Sequence, residues 1–337
     1  MPVINILLTN CGNCPEPYNA RLPFCPNCGP MIRKREPNLR STHFQTARQG
    51  KIIKSPRRFG LELEIIMPDA NKETRLALYK LPASWGIGYD ASIRGDGLGL
   101  EVKSPILARA AGEAITKRNC KLLRDAKATV NKSCGLHVHL EAKDFIGNWS
   151  KIKKVLAFYL AFNDIIMAMI PHYRRRNRYA RNLKMAFPLE KVMDASNSED
   201  LEALWYDEKD AEEREGEKSE YRHNSRYYGI NFHGLFSTNS RATNTVEIRY
   251  HSPTLNTSKI LHWIALHQTI LDRAQSLTTN EIWTAASLIF FQDKLNAFMR
   301  LLVLEDSLAN YVMQRIKLFN RLQFQATSAP IPSTCAA

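Results

Sequence analysis

Five stretches of this chain alternate apolar and polar residues with the period of a β-strand, and their polar positions draw on the same few residue types. In FGLELEI, Phe59, Leu61, Leu63 and Ile65 alternate with Gly60, Glu62 and Glu64. In GLGLEVKSP, Leu98, Leu100 and Val102 alternate with Gly99, Glu101 and Lys103. CGLHVHLEA sets Leu136, Val138 and Leu140 against His137, His139 and Glu141. YYGINFHGL sets Tyr228, Ile230 and Phe232 against Gly229, Asn231 and His233, and NTVEIRYHSP sets Val246, Ile248 and Tyr250 against Glu247, Arg249 and His251. Taken singly, a strand with two glutamates is a solvated sheet face, an HxH is ordinary surface and an ExR is a salt bridge. Taken together, every strand offers one face to a core, while the other carries acids, histidines, arginine or glycine in place of the usual Thr, Lys and Ser.

If these strands share a sheet, Glu62, Glu64, Glu101 and Glu247 converge. Unpaired, such carboxylates repel and raise one another's pKa. A divalent cation removes the conflict, and oxygen donors with one imidazole suit Mg²⁺ or Mn²⁺ better than a soft metal. Arg249 falls on the same face, and its planar fork suits phosphate or carboxylate. Cations and arginine gathered on one sheet fit phosphoryl transfer from ATP. A metal-dependent hydrolase would also use HxH with acids, but would leave the ExE and ExR pairs unexplained.

The 337 residues, 44% hydrophobic, allow one large domain with or without a small one. No run has the length of a membrane span, and INILL near the start is too short for a signal-peptide core, so a soluble cytoplasmic protein with no membrane partner is expected. The net charge of +14 is uneven: residues 1–58 hold ten Lys/Arg against two acids, whereas 194–222 hold twelve acids against four bases. The basic start suits nucleic acid or nucleotide phosphates, or is a solvated surface. Four of the seven cysteines form CxxC, ten residues, CxxC: Cys11, Cys14, Cys25 and Cys28. Tight turns present paired thiolates, and two such turns complete a tetrahedron around a structural Zn²⁺ with no open position. Residues 1–35 thus read as a zinc-ribbon-like module that binds nucleic acid or protein, or braces the rest. Residues 36–57 read as a basic linker, 58–326 as the large domain with an exposed acidic insertion at 194–222, and 327–337 as a disordered tail. Helices are expected from about Ile106, from Trp149 to Ile170 before Pro171, and throughout 257–320. Cys134 differs from His137 by an odd number of positions, which favours packing over nucleophilic chemistry.

FGLELEI, DASIRGDGLGLEVKSPIL, SCGLHVHL, RYYGIN and VEIRYHSP, in that order between about Arg58 and Leu255, resemble the motifs of the glutamine synthetase-like amidoligases, a branch of the carboxylate–amine ligases. The resemblance implies an α+β fold whose curved antiparallel sheet forms a funnel flanked by helices. It implies an ATP-dependent ligase that joins a carboxylate to an amine, small molecule or peptide, through an acyl phosphate. Residue by residue it makes Glu62 and Glu64 ligands of two metal sites, Glu101 and Glu247 further ligands, and His137 a contact of metal and terminal phosphate. It makes His139 a nucleotide contact, Arg249 a phosphate-stabilising group, and Arg226 with Asn231 a substrate- or phosphate-binding pair. Asp90 in YDAS falls where an amine or a metal-bound water is positioned. HYRRRNRYARN, His172–Asn182, fills a slot that relatives give to a basic, aromatic segment, so Arg178 or Arg181 would hold ATP phosphates or an acidic substrate; a solvated basic loop is the plainer alternative. The competing function is a zinc-ribbon nucleic-acid-binding protein whose ligase-like domain is inactive or accessory.

Overall fold

FGLELEIIM forms the strand β3 (Phe59–Met67), with Leu61, Leu63 and Ile65 buried on one side and Glu62 and Glu64 half-buried on the other. The computed structural model describes residues 51–68, 78, 80–207 and 209–320, together with the short antiparallel pair β1 (Leu8–Thr9) and β2 (Tyr18–Asn19). The four zinc-ligand candidates Cys11, Cys14, Cys25 and Cys28, most of the linker and the 327–337 tail lie outside the described residues.

Around β3 stands an open, fully antiparallel six-stranded sheet. Its strands are β4 (Gly86–Tyr89), β5 (Leu98–Lys103), β6 (Leu136–Glu141), β7 (Ile230–Asn231) and β8 (Thr245–Ile248) with β3, in the order β4-β5-β3-β6-β8-β7. Twelve α-helices are described with it, so the chain is of mixed α and β class. The turn into β5 needs glycine at Gly97: its φ is +132°, and a Cβ there would stand 2.2 Å from the Met67 carbonyl oxygen.

The apolar side of the sheet, with Val102, Val138, Leu140, Val246 and Ile248, is fully buried. Beneath it runs α9 (Thr257–Ala274), whose N-cap Asn256 accepts a hydrogen bond from the Lys259 N–H. The helices before it are α1 (Arg109–Asp125), α2 (Trp149–Ala161), α3 (Asn163–Ala168), α4 (His172–Arg175), α5 (Leu189–Asp194), α6 (Ser198–Trp205), α7 (Ala211–Ser219) and α8 (His233–Phe236). After it come α10 (Thr279–Ala286), α11 (Phe291–Leu302) and α12 (Asp306–Asn320), the helical end expected from sequence.

Four differences from the sequence expectation have local causes. The helix expected to run from Trp149 to Ile170 breaks at Phe162, which leaves helical geometry and packs its ring 4.6 Å from Phe158 and 5.3 Å from Phe298. The break aims the end of α3 at two buried arginines: Arg315 Nε donates to the Met169 carbonyl (3.1 Å) and Arg175 Nε to that of Ile170 (3.0 Å). Cations at a helix C-terminus are favourable. Next, the strand expected through YYGINFHGL spans only Ile230–Asn231, because the Asn231 side chain accepts the His233 N–H (2.9 Å) and bends the chain into α8. The last residues of the expected linker belong to the fold. Ile53 is buried, and Arg57 pairs with Asp144 and Asp272. Finally, half of the acidic segment 194–222 is anchored. Trp205 of α6 is buried and stacks on Phe187 at 5.0 Å, while α7 buries nothing.

Candidate functional site

Sheet register decides which polar residues meet. Glu62 pairs with Lys103 on one side and His137 on the other; Glu64 pairs with Glu101; His139 pairs with Glu247, and Glu247 with Asn231. All fall on the face opposite the core, so residues distant in sequence share one surface. Gly229 clears its far end, since a Cβ there would meet the Tyr250 ring at 1.8 Å.

Glu62 is the hub. Its Oε2 lies 3.1 Å from His137 Nδ1, and its Oε1 lies 3.4 Å from His139 Nε2 and 3.2 Å from Lys103 Nζ. Lys103 Nζ also meets Glu101 Oε2 at 2.8 Å. His137 Nε2 reaches Glu64 Oε1 at 3.4 Å. At the other end, Arg249 Nη1 pairs with Glu247, Asn231 Nδ2 donates to Glu247 Oε2 (2.9 Å), and Arg249 Nε donates to the Tyr179 carbonyl (3.0 Å).

Two sets of donors are gathered tightly enough to share a cation. Glu62, Glu101 and His137 form one and Glu62, His139 and Glu247 the other, each with ligand atoms within 4.8 Å of one another. The donor chemistry, carboxylates with an imidazole, fits Mg²⁺ or Mn²⁺. His139 Nε2 faces two carboxylates, 3.4 Å from Glu62 and 3.9 Å from Glu247; burial opposes a charge on its ring, but the contact with Glu62 and the charge of Glu247 raise its pKa. Glu64 belongs to neither set among the described residues.

The charges are in tension. Burial opposes ionisation of Glu62, yet its contacts with His137 and His139 hold its carboxyl far below the usual range. Burial pushes Glu64 up to about 7, with Arg174 opposing and Asp90 reinforcing. Glu101 is also raised, by burial and by the Glu62 charge. Burial, then Arg249, brings His137 down to about 4, so it is neutral and free to act as a ligand. Burial disfavours the charge on Glu247 as well, but Arg249 overrides it and keeps the carboxyl low.

The sheet brings together Glu62, Glu64, Glu101, His137, His139, Asn231, Glu247 and Arg249. Arg226 and Arg178 do not join them. Arg226 donates to the Tyr227 hydroxyl (2.7 Å) and Arg178 to that of Tyr179 (2.7 Å), each lying over the ring it bonds. Asp90 accepts the Ser92 N–H (2.8 Å) and acts on Glu64 only through its charge. His251 and His233 leave the polar face. His251 is buried with its ring 5.0 Å from Trp263, beyond the end of β8, and His233 is bound by Tyr206. Cys134 packs with Ile66 and Ile93, its thiol raised by burial.

Two residues enter that the sequence had not marked for the site. Lys103, seen only as an alternating residue, lies between Glu62 and Glu101. Arg174 is 3% exposed, donates to the Arg249 carbonyl (2.6 Å) and sets its charge against Glu64. The sequence carried Lys103 as a polar-face position of its strand and Arg174 within the basic segment His172–Asn182, where Arg178 and Arg181 had been singled out instead.

A sequence model described as "putative amidoligase enzyme" matches residues 66–271, more than half of the chain. That stretch holds Glu101, His137, His139, Glu247 and Arg249; Glu62 and Glu64 lie just before it and reach the same surface through the register of β3. Comparison with curated proteins found no match. No helix among the described residues is long and apolar enough to cross a membrane.

Proposed function

The chain belongs to the putative amidoligase enzyme family, and from that premise we propose that it is an ATP-dependent carboxylate–amine ligase working through an acyl phosphate. The supporting observation is the pair of donor sets that share Glu62. A Mg²⁺ or Mn²⁺ ion held by these residues supplies charge neutralisation for a transferring phosphoryl group.

The chain's own groups do the rest. Arg249, fixed by the Tyr179 carbonyl and Glu247, holds a permanent charge where the γ-phosphoryl group is expected. A carboxylate oxygen of the acid substrate attacks the γ-phosphorus as its bond to the ADP oxygen breaks. The amine nitrogen then attacks the acyl carbon, the bond from that carbon to the phosphate oxygen breaks, and inorganic phosphate leaves. The nitrogen must also lose a proton. Glu64, outside both donor sets and 3.4 Å from His137, is the carboxylate assigned to take it. Water has to be kept from the intermediate, which the buried setting of His137, Glu247 and Arg174 favours.

The test uses an acid labelled with oxygen-18 in its carboxylate, together with mixed amines and Mg-ATP. The expected products are ADP, an amide lighter by one water than its parents, and phosphate carrying one labelled oxygen. Release of AMP, or phosphate free of label, would rule out the acyl-phosphate route.

A further inference from the structure

The sheet has a free edge at β4, next to the strand that carries Glu101. All four residues of β4 are exposed, among them two large apolar side chains, Ile87 (42%) and Tyr89 (73%). The Asp90 N–H donates to the Gly99 carbonyl (3.2 Å), which sets the phase of the β4–β5 ladder. In that phase Gly86 and Gly88 spend their main-chain groups on β5. Ile87 and Tyr89 turn theirs outward, where no described residue meets them. Sheet edges are commonly closed to other chains by lysine, proline or a bulge, and Gly-Ile-Gly-Tyr, paired in regular register, has none of these.

The same register leads inward to the site. Gly88 lies opposite Glu101 and Glu101 opposite Glu64, so the three form one row across β4, β5 and β3 on the polar face. Gly86 heads the neighbouring row, with Lys103 and Glu62. A Cβ at Gly88 would meet nothing within 4 Å, and one at Gly86 only the Lys103 Cβ at 3.7 Å. No contact of the fold demands a glycine at Gly88; its effect is a bare floor between the edge and Glu101. Asp90 follows two residues on, and its charge reaches Glu64. Glu101, Glu64 and Asp90 outnumber the one ammonium of Lys103, so this approach suits a cation.

Outward main-chain groups spaced as in a strand match another extended chain. A strand added in the antiparallel order of the rest would bond to Ile87 and Tyr89 through the residues opposite them, whose side chains would pack on these two. The residue between, opposite Gly88, would send its side chain over the glycine floor. From there to β5 is two strand spacings, about 10 Å, a gap that a lysine from one side and Glu101 from the other close together.

We propose that β4 takes up an extended segment of a polypeptide as a seventh strand, and that a lysine of this segment, laid over Gly88, is the amine substrate. That the lysine is a substrate rests on the ligase reading above; the docking does not.

Calorimetry on the full chain tests the docking with the peptide acetyl-Thr-Val-Lys-Val-Thr-amide. N-methylation of both valines, which stand opposite Ile87 and Tyr89, should weaken binding about tenfold or more, whereas N-methylation of the lysine, whose N–H points away from β4, should change it less than about twofold. Norleucine in place of lysine should cost about threefold. These changes leave the protein untouched. On the protein, Ile87→Pro removes one outward N–H and no bond to β5, and should weaken the peptide. Gly88→Val fills the floor and should erase the difference between lysine and norleucine while the N-methylation pattern stays. Absence of binding would overturn the proposal, as would a loss equal for the valine and lysine nitrogens. So would a dimer of the free chain, seen in ultracentrifugation and dispersed by Ile87→Pro, which would make this edge an interface between copies. Binding is read without turnover. A chain that binds the peptide in this pattern but fails the oxygen-18 test keeps the docking site and loses the ligase reading; one that passes that test with free amines and ignores the peptide loses this site alone.

Discussion

The two ends of the polar face share Glu62 but neutralise it differently. At the Lys103 end the cation is a half-exposed ammonium bridging Glu62 and Glu101. Two carboxyls there are pushed up: Glu101 by burial and by the charge of Glu62, and Glu64 by burial, to about 7. At the Arg249 end the cation is a guanidinium pinned by a backbone carbonyl, and Glu247 is held low. One end is adjustable: a divalent ion bound there would displace an ammonium and protons. The other is fixed and always charged, which suits a group whose charge changes only in the transition state.

The severest way to break this comparison is to remove what the ends share. Glu62→Gln takes a carboxylate from both donor sets, so Mn²⁺ binding should fall by more than the ~10–100-fold typical of outer-sphere changes, with ligation lost below detection. Calorimetry and the labelled-phosphate assay check it, with circular dichroism to show an intact fold. If only one class of ion site is lost, Glu62 is not common to both. Arg249→Lys comes next. It keeps the charge but loses the fork that spans Glu247 and the Tyr179 carbonyl, and turnover should drop about 10²-fold while Mn²⁺ binding is nearly unchanged. A variant as fast as the parent would mean that the fixed end needs no fixing.

How much of this was legible in the sequence varies by element. β3, β5, β6 and β8 were legible because each buries one face, which leaves alternation in the letters. β4 was not, because all four of its residues are exposed and nothing in Gly-Ile-Gly-Tyr records a buried side. β7 was overread because the Asn231 turn is a side-chain event that alternation does not encode. The site residues on strands came through for the same reason as the strands. Arg174 did not. It sits in a run of similar arginines at the four-residue α4, which buries Arg174 and Arg175, while Arg176 and Arg178 beyond its end are exposed.

The adjustable end should also reveal itself through pH. The Glu64 carboxyl is raised from 4.5 to about 7 in the folded chain. Between those values the native state holds a proton that the unfolded chain has released. Metal-free stability therefore declines as pH climbs through that window, by up to ~3 kcal/mol from this group. The depressed carboxyls of Glu62 and Glu247 act elsewhere: their contribution is present above the unfolded value and lost as acid is added below it. Thermal melts with EDTA from pH 5 to 8 should show the decline, and Glu64→Gln should flatten it.

The smallest effect expected is also the most discriminating between the two ends. Lys103→Met removes the ammonium that an incoming cation must displace, so Mn²⁺ binding should tighten a few-fold, by about 1 kcal/mol. Without ion, Glu62 and Glu101 then face each other unscreened, and the metal-free chain should melt at a lower temperature than the parent. The two changes have opposite signs, which a simple loss of structure cannot produce. Weaker Mn²⁺ binding in this variant would mean that Lys103 supports the bound state, and the adjustable end would then be as fixed as the one built on Arg249.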